Sequence, residues 1–179
     1  MKKKTAKKKT AKATGRKTAK PIANSHDQSI REHVLYLLRG GGAHISFDDA
    51  VADWPVQLVG ARVANFPHTA WMLLEHMRIA QEDILDFSRN PKYKEMKWPD
   101  DYWPKSDAPA NEKEWKASIA TFKKDLREIE KLVADKKIDL YAKLPWGDGQ
   151  TVLREALLAA DHNAYHLGQL VMLRKCIGI

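Results

Sequence analysis

The feature that most constrains the fold of this 179-residue chain is a long apolar seam between residues 112 and 135. Apolar side chains recur there in alternating steps of four and three residues, as they do where one helix packs against others. The members of the seam are Trp115, Ile119, Phe122, Leu126, Ile129 and Val133. A helix with one such face needs partner helices, so the seam predicts a helix from about Glu112 to Asp135 within a helical bundle.

Three further stretches have the same helical period, and in the first of them Ile30, Val34, Leu37 and Leu38 form one apolar stripe. The first is predicted to run from an N-cap at Asn24 or Ser25 to Gly40. The second runs from Asn65–His68 to about Ser88, and the third from an N-cap at Thr151 to Cys176. A short helical turn is expected near Asp48, and the stretch KIDLYAKL is at most a short extended piece. The sequence therefore predicts an all-α fold, a four-helix bundle formed by residues 24–179.

A long connection joins the second and third of these helices. Residues 88–111 contain four prolines, two tyrosines and two tryptophans. A connection of this length in a compact domain is typically functional or disordered, and the aromatic side chains favour packing over disorder. We expect it to lie over one end of the bundle, either as a cover for apolar surface or as a substrate lid.

Positive charge is concentrated at the start of the chain. Residues 1–20 hold nine lysines, one arginine and no acidic residue, so they carry +10 and leave +8 − 10 = −2 for the remainder. Without large apolar side chains this segment cannot offset its ordering entropy, and residues 1–23 are predicted to form a disordered basic tail. The tail either binds nucleic acid or another polyanion, with strong salt dependence, or is a solubilising extension.

The remaining composition is typical of a cytoplasmic protein. The single cysteine, Cys176, cannot form an internal disulfide, which fits a reducing compartment. No apolar run approaches the roughly 18 residues that a membrane span requires, and no secretory signal follows the basic start. We therefore expect a cytoplasmic protein with no membrane partner. A homodimer is compatible with these features.

Two histidines stand one turn apart on the last predicted helix. They belong to a continuous row that is apolar at both ends and polar in the middle: Leu158, His162, His166, Gln169 and Leu173. A solvated face would carry Lys and Glu, so the middle of the row is expected to be enclosed, where imidazoles need partners. Imidazoles at i and i+4 can converge on one metal ion. A hydrogen-bonded pair without a metal is the alternative.

A third ligand has to come from another helix, and His76 is the strongest candidate. It lies on a predicted face that is otherwise apolar, made by Leu73, Ala80, Ile84 and Phe87. His68 competes from the start of the same helix, His33 and His44 are weaker, and His26 is close to the start of the chain. Three neutral imidazoles suit zinc, nickel, iron(II) or copper(II) and leave a coordination position open, as catalytic sites do.

Several of these stretches resemble the DinB-like superfamily of metalloenzymes. The most specific is DHNAYHLGQLVMLR, and GGGAHISFDDAV and FPHTAWMLLEHMRIAQEDILDFSRNP add to it. The resemblance covers residues 25–177 and excludes the basic tail. It implies a four-helix bundle and a divalent metal held by His76, His162 and His166. For the ion we favour zinc or nickel, with iron and manganese as alternatives.

The resemblance also implies a class of chemistry. Characterised members of the family include thiol-dependent S-transferases and related isomerases or hydrolases. The leading hypothesis is a metal-dependent enzyme that transfers a low-molecular-weight thiol to an electrophilic small molecule, with Gln169 orienting a ligand and Asp161 supporting the metal ligands. One alternative is a metal-dependent hydrolase. Another is a non-enzymatic metal-binding or stress-associated module that its tail tethers to nucleic acid.

Overall fold

The computed structural model describes residues 22–40 and 42–179, and these residues form an all-α fold, as predicted. The five helices are α1 (Ile22–Leu38), α2 (Phe47–Val51), α3 (Ala70–Arg89), α4 (Glu112–Ala134) and α5 (Val152–Ile177). The described ranges contain no strand, and a single bridge pairs Lys143 with Thr151. None of the described helices is both long and apolar enough to cross a membrane. The predicted disordered tail, residues 1–23, lies outside these ranges except for Ile22 and Ala23, which belong to α1.

Side-chain caps fix where three of the long helices begin. The Thr69, Asn111 and Thr151 side chains each accept a hydrogen bond from the backbone N–H three residues later, which satisfies a donor that the first helical turn leaves free. The prediction of Thr151 is confirmed. The second long helix begins at Ala70 rather than at Asn65–His68, because Thr69 is its cap. The first begins at Ile22, so Asn24 and Ser25 lie inside it.

The four long helices pack against one another, with α3 and α1 each contacting both α4 and α5. The seam on α4 is confirmed, since its side chains at Trp115, Phe122, Ile129 and Val133 are buried. The predicted stripe on α1 is wrong at Leu37, which is 48% exposed although the next residue, Leu38, is buried. Successive residues on a helix point about 100° apart, so Leu37 faces solvent where Leu38 faces the core.

The connection between α3 and α4 returns along the first half of α3. The hydroxyl of Thr69 donates to the Asp107 carbonyl over 2.6 Å, and the indole N–H of Trp71 donates to Ser106 over 3.3 Å. Gly60 allows the close approach, because a Cβ there would overlap with the Cβ of Ala108. The connection is therefore held beside the part of α3 that carries His76.

Candidate metal centre

Helices α3 and α5 bring together His76, His162 and His166. One ring nitrogen from each side chain lies within 4.8 Å of those of the other two. The Nε2 atoms of His76 and His162 are 3.0 Å apart, and the ring centroid of His166 lies 4.5 Å from those of both other rings. His76 and His166 are buried, and His162 is half-buried. The enclosed row that the sequence predicted on α5 is therefore present.

Hydrogen bonds set the tautomer of two of these imidazoles. The Nδ1–H of His76 donates to the backbone carbonyl of Tyr102 over 2.8 Å. The Nδ1–H of His166 donates to Oε1 of Gln169 over 2.7 Å. Since a neutral imidazole carries one proton, the Nε2 lone pairs of both rings remain available as ligands. An acceptor behind a histidine is the arrangement that commonly orients a metal ligand.

The third imidazole has an acceptor close by but no hydrogen bond to it. Nδ1 of His162 and Oδ1 of Asn163 are both buried and have no hydrogen-bond partner among the described residues. Asn163 donates to Gln81 over 2.8 Å, and Gln81, fully buried, donates to the Phe122 carbonyl over 2.7 Å. The amide of Asn163 is thus anchored by Gln81 at the position that follows His162 in the chain.

Burial keeps the three imidazoles neutral. It lowers the pKa of His76 to about 4, with the Tyr102 hydrogen bond opposing the shift and the nearby His166 adding to it. Burial likewise lowers the pKa of His162 to about 4, with His166 and His76 contributing and Asn163 opposing. The pKa of His166 is also lowered, mainly by burial. At pH 7 the cluster consequently presents lone pairs instead of positive charge.

The donor set fits a divalent ion. Tetrahedral coordination at about 2.0–2.1 Å would place two nitrogens about 3.3 Å apart. The observed separations, from 3.0 Å to at most 4.8 Å, bracket that value. The short contact between the Nε2 atoms of His76 and His162 also needs something between them, either a proton or a metal ion.

Aromatic side chains enclose the cluster. The Trp103 indole, from the connection after α3, stacks on His76 with centroids 3.9 Å apart and planes 2° apart. Trp103 also stacks on His68 at 4.1 Å, and Tyr165 lies edge-on to His166 at 4.8 Å. His68, the competing candidate for the third ligand, is therefore not part of the triad. It packs against Trp103, the indole that stacks on His76. Burial, followed by the charge of Arg62, lowers the pKa of His68.

A family model of the DinB superfamily matches residues 45–170 of the chain. The chain belongs to the DinB superfamily. Comparisons with curated proteins and with solved structures gave no match. The resemblance that the sequence motifs suggested is confirmed. DinB proteins form a metal-binding superfamily, and together with the histidine triad this points to a bound divalent ion.

Two tyrosines anchor the connection of this DinB protein to α3. The hydroxyls of Tyr93 and Tyr102 donate to the two carboxylate oxygens of Asp83, over 2.9 Å and 2.7 Å. Burial, together with these hydrogen bonds, raises the pKa of Tyr93 to about 12 and that of Tyr102 still further. Both hydroxyls therefore stay protonated. Through its hydrogen bond with Tyr102, Asp83 fixes the residue whose backbone carbonyl orients His76.

The structure also locates the remaining histidines and the two proposed supporting residues. His26, His33 and His44 are exposed and lie outside the triad. Gln169 contacts His166 itself, so its observed role is to orient that ring. Asp161 is exposed and makes no hydrogen bond to a histidine of the described chain, so the structure gives it no supporting role. Sequence reasoning missed Trp103, Asp83 and the Tyr102 carbonyl.

Proposed function

We propose that this DinB protein binds one divalent metal ion through His76, His162 and His166 and is a metal-dependent enzyme. The observation that carries the proposal is the convergence of three neutral imidazoles from α3 and α5, with one nitrogen of each within 4.8 Å of the others. Zinc or nickel suits three imidazoles, and iron and manganese are the alternatives. Three protein ligands leave at least one position for a ligand, as in catalytic centres.

The reaction we favour is transfer of a low-molecular-weight thiol to an electrophilic small molecule. Metal ions deprotonate coordinating thiols, and that is the chemistry the ion would supply here. In the transfer the S–H bond breaks and its proton passes to water. The new S–C bond forms as the bond from carbon to the leaving group breaks, and the leaving group departs with that electron pair.

The side chains of the protein have distinct tasks in this proposal. The Tyr102 carbonyl and Gln169 hold the rings of His76 and His166 with Nε2 directed at one point. Trp103 excludes water from one face of His76 and leaves the side next to His162 and Tyr165 accessible, since Tyr165 is 64% exposed. Substrates would therefore approach along the outer face of α5. No described residue beyond the triad is assigned a catalytic role.

The transfer is tested by mixing the metal-loaded protein with a panel of thiols and 1-chloro-2,4-dinitrobenzene. Thioether formation above the uncatalysed rate is expected with at least one thiol and should be lost in His166→Ala. His33→Ala is the matched control, because His33 is exposed and outside the triad, and it should retain full activity. If every thiol reacted at the uncatalysed rate, or His166→Ala reacted like the unchanged protein, the proposal would fail.

Hydrolysis is the second reaction that the same site supports. An ion held by His76, His162 and His166 would supply hydrolytic chemistry by lowering the pKa of a water molecule, to near 7 for zinc in favourable sites. Chromogenic esters offered without any thiol distinguish the two reactions. Metal-dependent release of the chromophore in the absence of thiol would favour the hydrolase.

For the overall organisation we propose that residues 24–179 form one four-helix bundle domain, supported by the mutual packing of the four long helices.

We propose further that the basic tail binds nucleic acid or another polyanion, since residues 1–20 carry +10 with no acidic residue. If the domain catalysed no reaction, the protein would function as a metal-binding module that its tail tethers to nucleic acid. Thiol chemistry and the single unpaired Cys176 both suit a reducing, cytoplasmic setting.

A further inference from the structure

A cavity lies where α3, α4 and α5 meet the end of α1 and the start of α2, and its lining includes Met77, Asn163 and Leu167, the sequence neighbours of the three triad histidines. Its volume is 230 Å³, and no triad histidine lines it. Its apolar lining combines buried side chains, among them Met77 and Leu167, with the more accessible Leu37 and Leu126. At about 30 Å³ per water-sized group, the space admits at least about seven such groups. It is large enough for a short organic chain.

The rim of this cavity carries an excess of positive charge. Arg39 pairs with Glu130 over 3.1 Å, and Lys123 pairs with Asp48 over 2.8 Å, and all four side chains line the cavity. Arg127 lines it as well and has no ion-pair partner among the described residues. The two pairs cancel, so one guanidinium remains to attract an anion at the mouth of an apolar space.

The apolar lining favours an aliphatic over an aromatic occupant. The rings of Phe47 and Phe122 stack on each other with centroids 4.2 Å apart, so one face of each is already engaged. The other large apolar side chains, including Leu37, Leu126 and Leu167, are aliphatic. Such side chains surround a methylene chain without requiring a fixed ring orientation.

We propose that this cavity binds an aliphatic monocarboxylate of about eight carbons, a length set by the room for at least about seven water-sized groups. The chain contacts Leu37 and Leu126, the accessible aliphatic side chains of the lining, and the carboxylate pairs with Arg127 at the rim. No triad histidine lines the site, and the proposal does not depend on the proposed reaction.

A titration of the full chain with octanoate, followed by calorimetry and by NMR of the Met77 methyl group, tests the proposal. One octanoate per chain is expected, with the Met77 signal shifting in proportion to occupancy. Arg127→Glu replaces an attraction by a repulsion at an exposed position, so octanoate binding should weaken at least about threefold. Lys113→Glu, an exposed position on α4 outside the cavity and about four turns from Arg127, is the matched control and should bind as the unchanged protein does.

Two further measurements separate this site from other sources of binding. Octan-1-ol has no charge, so its affinity should be the same for the unchanged protein and for Arg127→Glu. Carboxylates also bind metal ions, so octanoate affinity is measured in His166→Ala, where it should be unchanged. Absence of saturable binding at millimolar octanoate, an equal loss in Lys113→Glu, or loss of binding in His166→Ala would each overturn the proposal.

Discussion

Replacing Asp83 by asparagine should weaken metal binding although Asp83 does not contact the triad. Asp83 accepts hydrogen bonds from Tyr93 and Tyr102, and the Tyr102 carbonyl orients His76. The asparagine side chain would keep the shape of the carboxylate, lose its charge and replace one acceptor oxygen by an amide nitrogen that only donates. Hydrogen bonds to charged groups contribute about 1.5–3 kcal/mol and neutral ones about 1 kcal/mol. With both tyrosines half-buried, the expected loss in the free energy of unfolding is about 1–2 kcal/mol.

Two measurements follow from this change. In a domain of this size the loss corresponds to a melting temperature lower by about 2–8 °C. Mutating the direct partner of a metal-binding histidine typically costs about 10–100-fold in metal affinity, and Asp83 acts one step further out through Tyr102, so a loss of up to about tenfold is expected in a competition titration with a chromogenic zinc chelator. Tyr102→Phe, which removes one of the two hydrogen bonds and keeps the backbone carbonyl, should show a smaller effect on both quantities.

The control for this experiment is Asp100→Asn. Asp100 lies in the same connection, but it pairs with the exposed Lys97 and does not contact either tyrosine. Its replacement should leave the melting temperature and the metal affinity unchanged. If Asp83→Asn lowered the melting temperature while zinc affinity stayed equal to that of the unchanged protein, the connection would not orient His76.

Three further predictions concern pH, metal removal and the tail. The pKa values of His76 and His162 are about 4 in the folded protein and near 6.5 when unfolded, so the unfolded state binds more protons between these values. The metal-free protein should therefore lose at least about 1 kcal/mol of stability between pH 7 and pH 5, measured by urea unfolding, and a His76→Ala/His162→Ala variant should lose less. Removal of the metal should lower the melting temperature and leave the helical circular dichroism intact, because the long helices bury an extensive apolar core of their own. Deletion of residues 1–20 should abolish salt-sensitive DNA binding without changing metal content, and a truncated protein with the same salt slope would contradict this.

The histidine triad could be predicted because its geometry is local to two helices. The spacing of His162 and His166 places both rings on one row, and the apolar neighbours of His76 mark it as inward-facing. Helix periodicity determines both facts. The same periodicity predicted which side chains of α4 are buried. It failed at Leu37, which lies at the edge of the α1 stripe, where neighbouring residues differ in whether they face the core or solvent.

The surroundings of the triad could not be predicted in the same way. The acceptor for His76 is a backbone carbonyl, which has no sequence signature, and its position depends on the path of the connection. The aromatic content of residues 88–111 indicated packing, but nothing in the sequence distinguished Trp103, which stacks on His76, from Trp98, which is 70% exposed. Contacts between residues far apart in sequence require the folded chain.

The most direct test of the account is the metal content of the purified protein, measured by inductively coupled plasma mass spectrometry. The unchanged protein and His33→Ala should each contain one divalent ion per chain, and His166→Ala should contain none above background. Circular dichroism shows whether His166→Ala is still folded, so that loss of the ion is not mistaken for loss of structure. Full metal occupancy in a folded His166→Ala variant would contradict the assignment of the triad as the metal centre.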